Sequence, residues 1–553
     1  MRVVALRAWH DADCNKCMSS ITLFIDYKSS DAYLSYRVLA SLSQHYNLPF
    51  DTVPYKTKQT EFGVCNHFDI PDTTNVKMHW KNKNLYLYRI FKMYGKLLGL
   101  RSEPVGPKFA IDSTLLLYGN IFANNAASSK INQPKRPVDI YNDKAFDLVW
   151  HTSGYPKIDV NTVVDLLKSC EVTNAAGFVD FVSSANAEML MTKLRSQAEE
   201  EHGVFSSPTF IFKPLLKGVY VGRASLALML LDIHNAGGLS RKALNDNVLT
   251  FSFGCHTRRS YMNFLRHMQA QQNDTHILSN RFNLNRYGAK RLDVYIDLKS
   301  PYAYLAIDET LQLQADFNIE INWLPFGLNI DSYLGSAEVH RKTNVLKKSK
   351  RSRAQWNAVR YAYSNARRYA SKRSPSMVIL GTYKIWNSSL VGTAILWVKS
   401  KNENGTPENS PIQRFFKALW PPFWRRNLDI ESVDVLKEVM KQANVDTEGF
   451  EEFSRGKGLR ALKEIRDYAW NELGIFGVPT YVLNGRILWG REHLDLIRHT
   501  LFFEGYMKSV SGDESNVHTM TEKSSNEQFL YGRSLFFDGV TDGSDSTKMT
   551  GRL

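Results

Sequence analysis

A chain of 553 residues is too long for one hydrophobic core, because single cores stop growing near about 250–300 residues, so at least two domains are expected. Hydrophobic residues make up 43% and charged residues 23%, which argues against a disordered chain, and the sequence holds no run of about 18 uncharged apolar residues, so membrane insertion is not expected. Five cysteines, an odd and sparse set, argue against a secreted disulfide framework and for a reducing, intracellular compartment, while a net charge of +15 makes anionic partners plausible.

The N-terminal stretch MRVVALRAWHDADC has no apolar core of the secretory kind. Its two arginines leave a mitochondrial address open, with the cytoplasm as the alternative. Cys14 and Cys17 form a C-x-x-C before the first predicted strand, whereas a redox pair belongs after it, and no second pair completes a zinc site, so no metal is expected.

The first predicted strand is Ile21 to Asp26. A turn containing Ser29 leads into a helical pattern, and a second β-run follows at Phe50 to Pro54. A long helical stretch then gives way to a strand opening at Ser207–Pro208, a short partner at Val219 to Val221 and a final helix from Arg223 to His234. Residues 235–290 read as a linker with polar stretches such as QAQQNDTH.

The same order then repeats. Strands are predicted at Leu292 to Asp297 and Ile319 to Leu324, a strand opens at Val478–Pro479 with a partner at Ile487 to Trp489, and a last helix runs from Glu492 to Phe502. FIDYKSSDAYL (24–34) faces YIDLKSPYAYL (295–305) at a separation of 271 (29 to 300), and HGVFSSPTFIF (202–212) faces LGIFGVPTYVL (473–483) at the same separation (208 to 479). Between these anchors, LYLYRIFKMYG (85–95) resembles RYAYSNARRYA (360–370) at 275, where Asp112 also meets Asn387. Two distant segments in one register indicate a duplication. The order β-α-β, helices, β-β-α is the thioredoxin plan with a helical insertion. The expected fold is therefore α/β, with two tandem thioredoxin-like domains at 21–234 and 291–503, and residues 504–553 as a flexible tail.

The densest basic stretch runs from Arg341 to Arg373 and includes KKSKRSR. It reads as the solvated face of a helix. KKSKRSR lacks the interleaved aromatic residues of a nucleic-acid surface, so no nucleic acid is expected.

Three positions carry candidate chemistry. Ser300 stands directly after a strand with Pro301 next, the pattern of an N-cap with proline at the first helical position. A capping serine without chemistry has this same local sequence, but a hydroxyl at a helix N-terminus also suits a thiolate, which the terminal N–H groups and partial positive charge stabilise. The four residues from Ser300 to Ala303, and those from Ser29 to Ala32, contain no cysteine, so thiol–disulfide exchange by the chain itself is not expected. Val478–Pro479 opens a strand, either as a trans proline at a sheet edge or as the cis proline of the thioredoxin plan, which frees the preceding backbone to pair with a peptide-like ligand; Ser207–Pro208 is the equivalent in the first copy. In WGREHLDLI, Arg491 and Glu492 enter the last helix either as a simple helix start or as a clamp for an ammonium and a carboxylate.

With these residues assembled, the second copy resembles the kappa-class glutathione transferases and the 2-hydroxychromene-2-carboxylate isomerases, of the DsbA-like branch of the thioredoxin superfamily. YIDLKSPYAYL, RYAYSNARRYA, NSSLVGTA (387–394) and GIFGVPTYVLNGRILWGREHLDLI (474–497) carry the resemblance. It implies a glutathione-dependent transferase acting on small electrophiles or peroxides, with Ser300 holding the sulfur, Val478 and Pro479 pairing with the cysteinyl backbone, Arg491 and Glu492 at the γ-glutamyl end, and Asn387 as a further contact. The alternatives are an isomerase of the hydroxychromene-carboxylate type, or a non-catalytic tandem scaffold. Glu492 stands where the family usually has Asp, and Arg491 replaces a small polar residue. In the first copy Ser29, Ser207 and Pro208 stand at the equivalent positions, Ser207 in place of Val478, while Ala224 replaces Glu492, which implies a degenerate partner. Family members commonly pair as homodimers, so the tandem is expected to form an internal pseudo-dimer or a homodimer. The terminal Gly551, Arg552 and Leu553 resemble a peroxisomal address.

Overall fold

The computed structural model describes residues 21–46, 48–57, 74–97, 111–126, 136–152, 156–214, 218–239, 289–374, 376–401 and 410–508. Cys14, Cys17, most of the linker, nearly all of the tail and the terminal tripeptide lie outside them. The described residues fall into two compact units, one holding 21–57 and 84–239, the other 74–83 and 289–508.

The first half of the chain supplies β1 (Ile21–Ile25), α1 (Ser30–Tyr46), β2 (Phe50–Pro54), α2 (Thr74–Leu97), α3 (Thr114–Ala126), α4 (Pro137–His151), α5 (Val160–Ser169), α6 (Phe178–Ser183), α7 (Asn186–Glu201), β3 (Thr209–Phe212), β4 (Val219–Val221) and α8 (Leu226–Asn235). Its sheet has the order β2-β1-β3-β4. β1 lies parallel to β2 and antiparallel to β3, with Phe24 opposite Val53 on one side and Thr209 on the other. ITLFI is buried at all five positions and does not alternate, as a strand covered on both faces must be.

The second half supplies β5 (Lys290–Ile296), α9 (Pro301–Asp316), β6 (Ile319–Pro325), α10 (Ile330–Leu334), β7 (Ala337–Val339), β8 (Leu346–Ser349), α11 (Arg353–Arg373), α12 (Ser389–Ser400), α13 (Pro411–Trp424), α14 (Val433–Gln442), α15 (Phe450–Arg455), α16 (Lys457–Asn471), β9 (Thr480–Leu483), β10 (Arg486–Trp489) and α17 (Leu494–Phe503). β6-β5-β9-β10 is the same strand order, with β5 parallel to β6 and antiparallel to β9.

The two sheets carry matching core clusters. Phe24, Tyr55, Ala198, Val204 and Ile211 pack together in the first unit. In the second, Tyr295, Phe326, Ala469 and Ile475 pack together, with Val482 against them, each at a separation of 271 from its counterpart (24 to 295, 55 to 326, 198 to 469, 204 to 475, 211 to 482). The ring pairs Phe24–Tyr55 and Tyr295–Phe326 both meet edge-on, with centroids 6.4 Å apart and planes at 87°. That edge-to-face geometry suits the opposed partial charges of ring edge and ring face.

Two expectations need correction. The basic stretch is not one helical face: residues 337–349 form the β7–β8 hairpin, and α11 begins only at Arg353 behind a capping box made by Ser352 and Gln355. Several of its cations are also bound within the fold. Arg351 and Arg360 both lie over the Trp356 ring, and Arg367 donates to the carbonyls of Ile379 and Leu380. The final helices also start later than expected, each after a short 3-10 turn, Arg223–Ser225 and Arg491–His493.

Candidate functional site

The loop from β5 to α9 is shaped by a buried acid. Asp297 accepts from the backbone N–H of Lys299 (3.0 Å) and of Leu328 (2.6 Å), so one carboxylate ties the end of β5 to the loop after β6. Lys299, itself buried, pairs with Asp297 at 3.5 Å and donates to the Leu328 carbonyl at 2.7 Å. In the first unit Asp26 receives Lys28 N–H, Thr57 N–H and the hydroxyls of Thr57 and Ser113. The motif Asp-x-Lys-Ser thus fixes the turn that presents each serine. Sequence reasoning stopped at the serines and missed the Asp and Lys beside them, although both repeat at the 271-residue separation.

Ser300 is the N-cap of α9. Its hydroxyl accepts from Ala303 N–H at 3.2 Å and donates to the Val478 carbonyl at 3.3 Å. The Val478–Pro479 bond is cis, as is Ser207–Pro208. Ser300, Val478 and Pro479, far apart in sequence, therefore meet at one point at the N-terminus of the helix. The first unit repeats this arrangement: Ser29 accepts from Ala32 N–H at 3.2 Å and donates to the Ser207 carbonyl at 3.1 Å. It differs in having a side-chain hydroxyl before its proline, which the Ser207 Oγ uses to accept from Asp26 N–H at 2.8 Å.

After β10 the chain turns at Gly490, whose φ of +105° places it where a side chain is strained. Its N–H donates to the Pro479 carbonyl at 2.9 Å, so the cis-proline loop and the entry to the last helix are tied together. Gly222 does the same to Pro208 at 2.9 Å with φ of +80°. Beyond Gly490, Arg491 lies over the Tyr369 ring of α11, 3.4 Å from its centroid. Burial disfavours the charged guanidinium, but Tyr369, Glu309 and Glu492 outweigh it and hold its pKa above the usual arginine value. The Glu492 carboxylate folds back over Gly490.

Tyr302, the third residue of the Ser300 motif, faces α11. Asn365 Nδ2 donates to its hydroxyl oxygen at 3.2 Å, while Asn365 Oδ1 is buried without a hydrogen-bond partner. Burial first, then neighbouring Tyr361, raises the Tyr302 pKa, so the phenol stays protonated near neutrality. Tyr302, Asn365 and Tyr369 are further site residues not singled out from sequence; the RYAYSNARRYA repeat was the available signal.

Asn387 lies just before α12. Its side-chain oxygen accepts from Ser389 N–H at 3.0 Å at the start of α12, and its own N–H donates to Glu431 at 2.8 Å. Glu431 is paired with Lys384 at 2.7 Å, and its pKa is lowered: burial opposes the shift, and Lys384, Asn387 N–H and Lys299 outweigh it.

Among the described residues no helix is long and apolar enough to cross a membrane, and no group of His, Cys, Asp and Glu is placed to hold a metal ion.

Residues 291–502 match the model of the DSBA-like thioredoxin domain family. The chain is 22% identical over 211 residues to a 2-hydroxychromene-2-carboxylate isomerase of Pseudomonas sp. (strain C18), covering 38% of this chain and 89% of that protein. Among solved structures, a 2-hydroxychromene-2-carboxylate isomerase aligns at 19% identity and a TM-score of 0.29, covering 38% of this chain and 94% of that one. A probable DsbA oxidoreductase from Streptomyces coelicolor aligns at 15% identity and 0.30, covering 41% and 94%. Residues 291–502 are a DsbA-like thioredoxin domain, distantly related to an isomerase of 2-hydroxychromene-2-carboxylate.

Proposed function

We propose that the second unit binds glutathione with its sulfur at Ser300 and acts on a small electrophilic organic molecule. The observation that carries this reading is the convergence of the Ser300 hydroxyl, the α9 N-terminus and the cis Val478–Pro479 backbone, with no cysteine from Ser300 to Ala303. Such a site lacks its own thiol and has the donors that a ligand thiolate needs. Bound there, glutathione supplies a nucleophilic sulfur for reversible addition to an unsaturated oxo compound, or for conjugation.

The chain's part is to favour the thiolate. Ser300 Oγ–H, which donates to the Val478 carbonyl, turns toward the sulfur and donates to it instead. Lowering a thiol pKa by two units needs about 2.7 kcal/mol. A charge-assisted hydrogen bond of about 1.5–3 kcal/mol and a helix terminus of about 0.3–2 kcal/mol together suffice. Val478 offers its backbone to the tripeptide, and the Arg491–Glu492 turn closes the γ-glutamyl end.

The relationship to a hydroxychromene-carboxylate isomerase supports reversible addition followed by elimination, which leaves the thiol unconsumed. Conjugation, as in a kappa-class transferase, or peroxide reduction is the second reading, and it differs in consuming the thiol. The matching core clusters, serine caps and cis prolines support reading the chain as a duplication whose first unit, with Ala224 where Glu492 stands, is a non-catalytic partner.

Titration calorimetry of the full chain with glutathione tests the binding. Saturable heat is expected, and Ser300→Ala should retain binding while losing the ultraviolet absorbance of the bound thiolate at neutral pH. No heat and no thermal shift with glutathione would leave the tandem scaffold as the reading. Assays with a generic electrophile and with an unsaturated oxo-acid then separate conjugation from isomerisation.

A further inference from the structure

In the β7–β8 hairpin of the second unit, every residue from His340 to Lys350 is exposed. The stretch contains Arg341, Lys342, Lys347, Lys348 and Lys350 and no acid. Glu338 on β7 offsets part of that charge, 3.2 Å from Lys347 and 3.3 Å from Lys348. Among the lysines stand two large aliphatic side chains, Val345 at 64% exposure and Leu346 at 50%.

The hairpin is fastened to the fold at its base. Val339 N–H donates to the Tyr383 carbonyl at 2.9 Å, and Lys350 N–H to the Ser336 carbonyl at 2.8 Å. Arg351 Nε donates to the carbonyls of Leu334 and Gly335, at 3.2 and 3.0 Å. Arg341 is an anchor too: its guanidinium donates to the Arg426 carbonyl, and Arg426 Nη1 returns a bond to the Arg341 carbonyl at 2.6 Å. His340 N–H closes the turn on the Val345 carbonyl at 2.7 Å. The four lysines and the Val345–Leu346 pair are thus presented outward from a held ribbon.

A single exposed aliphatic side chain needs no explanation, but two adjacent ones set among lysines match the two layers of an anionic bilayer surface. Aliphatic groups gain by entering the boundary between headgroups and acyl chains, and ammonium groups gain by staying at the lipid phosphates. A nucleic acid surface would call for aromatic platforms. The hairpin has no Phe, Tyr or Trp, and the adjoining Trp356, bonded to Ser349 Oγ at 3.2 Å, already carries Arg351 and Arg360 over its ring.

We propose that the β7–β8 hairpin docks the chain on anionic phospholipid membranes, with Val345 and Leu346 in the headgroup–acyl boundary and Lys342, Lys347, Lys348 and Lys350 at the lipid phosphates. This is attachment to a surface rather than a crossing, and it does not depend on what Ser300 binds.

Co-sedimentation of the full chain with lipid vesicles tests it. The chain should bind vesicles of phosphatidylcholine mixed with phosphatidylserine, should bind phosphatidylcholine alone at least about tenfold more weakly, and should be released by salt. Val345→Ser with Leu346→Ser should weaken attachment about tenfold through loss of the inserted aliphatic area. Lys342→Gln with Lys350→Gln leaves the Glu338 pairs intact and should weaken it about 10- to 30-fold. All four side chains are exposed, so the melting curves of these variants should match the parent's, and the comparison of lipids needs no variant at all. Equal binding to neutral and anionic vesicles, or binding to neither, would overturn the proposal. So would undiminished binding by the serine variant, which would mark the hairpin as a charge-only surface for an acidic protein or a polynucleotide.

Discussion

The guanidinium of Arg491 lies 3.4 Å from the centroid of the Tyr369 ring, and Arg223 lies 3.8 Å from the centroid of Tyr94. Each arginine follows the glycine that bonds back to the cis-proline carbonyl; Tyr369 sits on α11 and Tyr94 on α2. In each unit the pair joins the turn after the last strand to a helix, α2 in the first and α11 in the second. A desolvated cation over an aromatic face is worth about 2 kcal/mol. Arg491→Ala should therefore lower the unfolding free energy by about 2 kcal/mol in urea denaturation. Arg491→Lys should recover less than half of that, because a compact ammonium does not stack as a planar guanidinium does.

Asp297 and Lys299 are both buried and bonded to each other. Removing one partner strands the other charge, at a cost of about 3–5 kcal/mol. Asp297→Ala should lose that much stability in chemical denaturation, and Asp297→Ala with Lys299→Met should recover part of it. If the single substitution costs under about 1 kcal/mol, the carboxylate is not what fixes the turn.

Ser29 and Ser300 make the same cap, so Ser29→Ala and Ser300→Ala should each cost about 1 kcal/mol of stability. Only Ser300→Ala should slow thiol-dependent turnover, by roughly 10- to 100-fold for the loss of a charge-assisted hydrogen bond of about 1.5–3 kcal/mol. Steady-state rates of the two variants beside their melting curves separate capping from chemistry.

Burial pulls the pKa of His499, on the last helix, down to about 4. A depressed folded-state value means the native state holds the neutral ring, so this contribution is complete above the ordinary value near about 6.5 and is lost as pH falls toward 4. Stability should drop by about 2 kcal/mol over that interval on account of this residue. His499→Leu should show a correspondingly shallower acid dependence when denaturation is compared at pH 7 and pH 4.5.

Much of the second unit is legible in the sequence. The strand runs, the serine N-cap at Ser300 and the proline opening the strand at Pro479 are local signals, set by period-two patterning, capping chemistry and proline geometry, though the choice between cis and trans at Pro479 is open in the sequence. The basic stretch at 341–373 divides into a hairpin and a helix capped at Ser352, a division that charge composition does not show because it carries no periodicity strong enough to separate the two. The bond from Ser389 N–H to the Asn387 side-chain oxygen is a local use of asparagine that the sequence does not distinguish from a ligand contact.

Residue identity and spacing alone determined the order of elements and the residue types at the turns, because caps, prolines and glycines act on their nearest neighbours in the chain. Only the tertiary structure decided that Asp297 holds the loop after β6, that Arg491 lies over Tyr369, and that Tyr304 stacks on Trp420. Those relations join groups tens to hundreds of residues apart, and burial, which fixes both partner and strength, is a property of the packed chain.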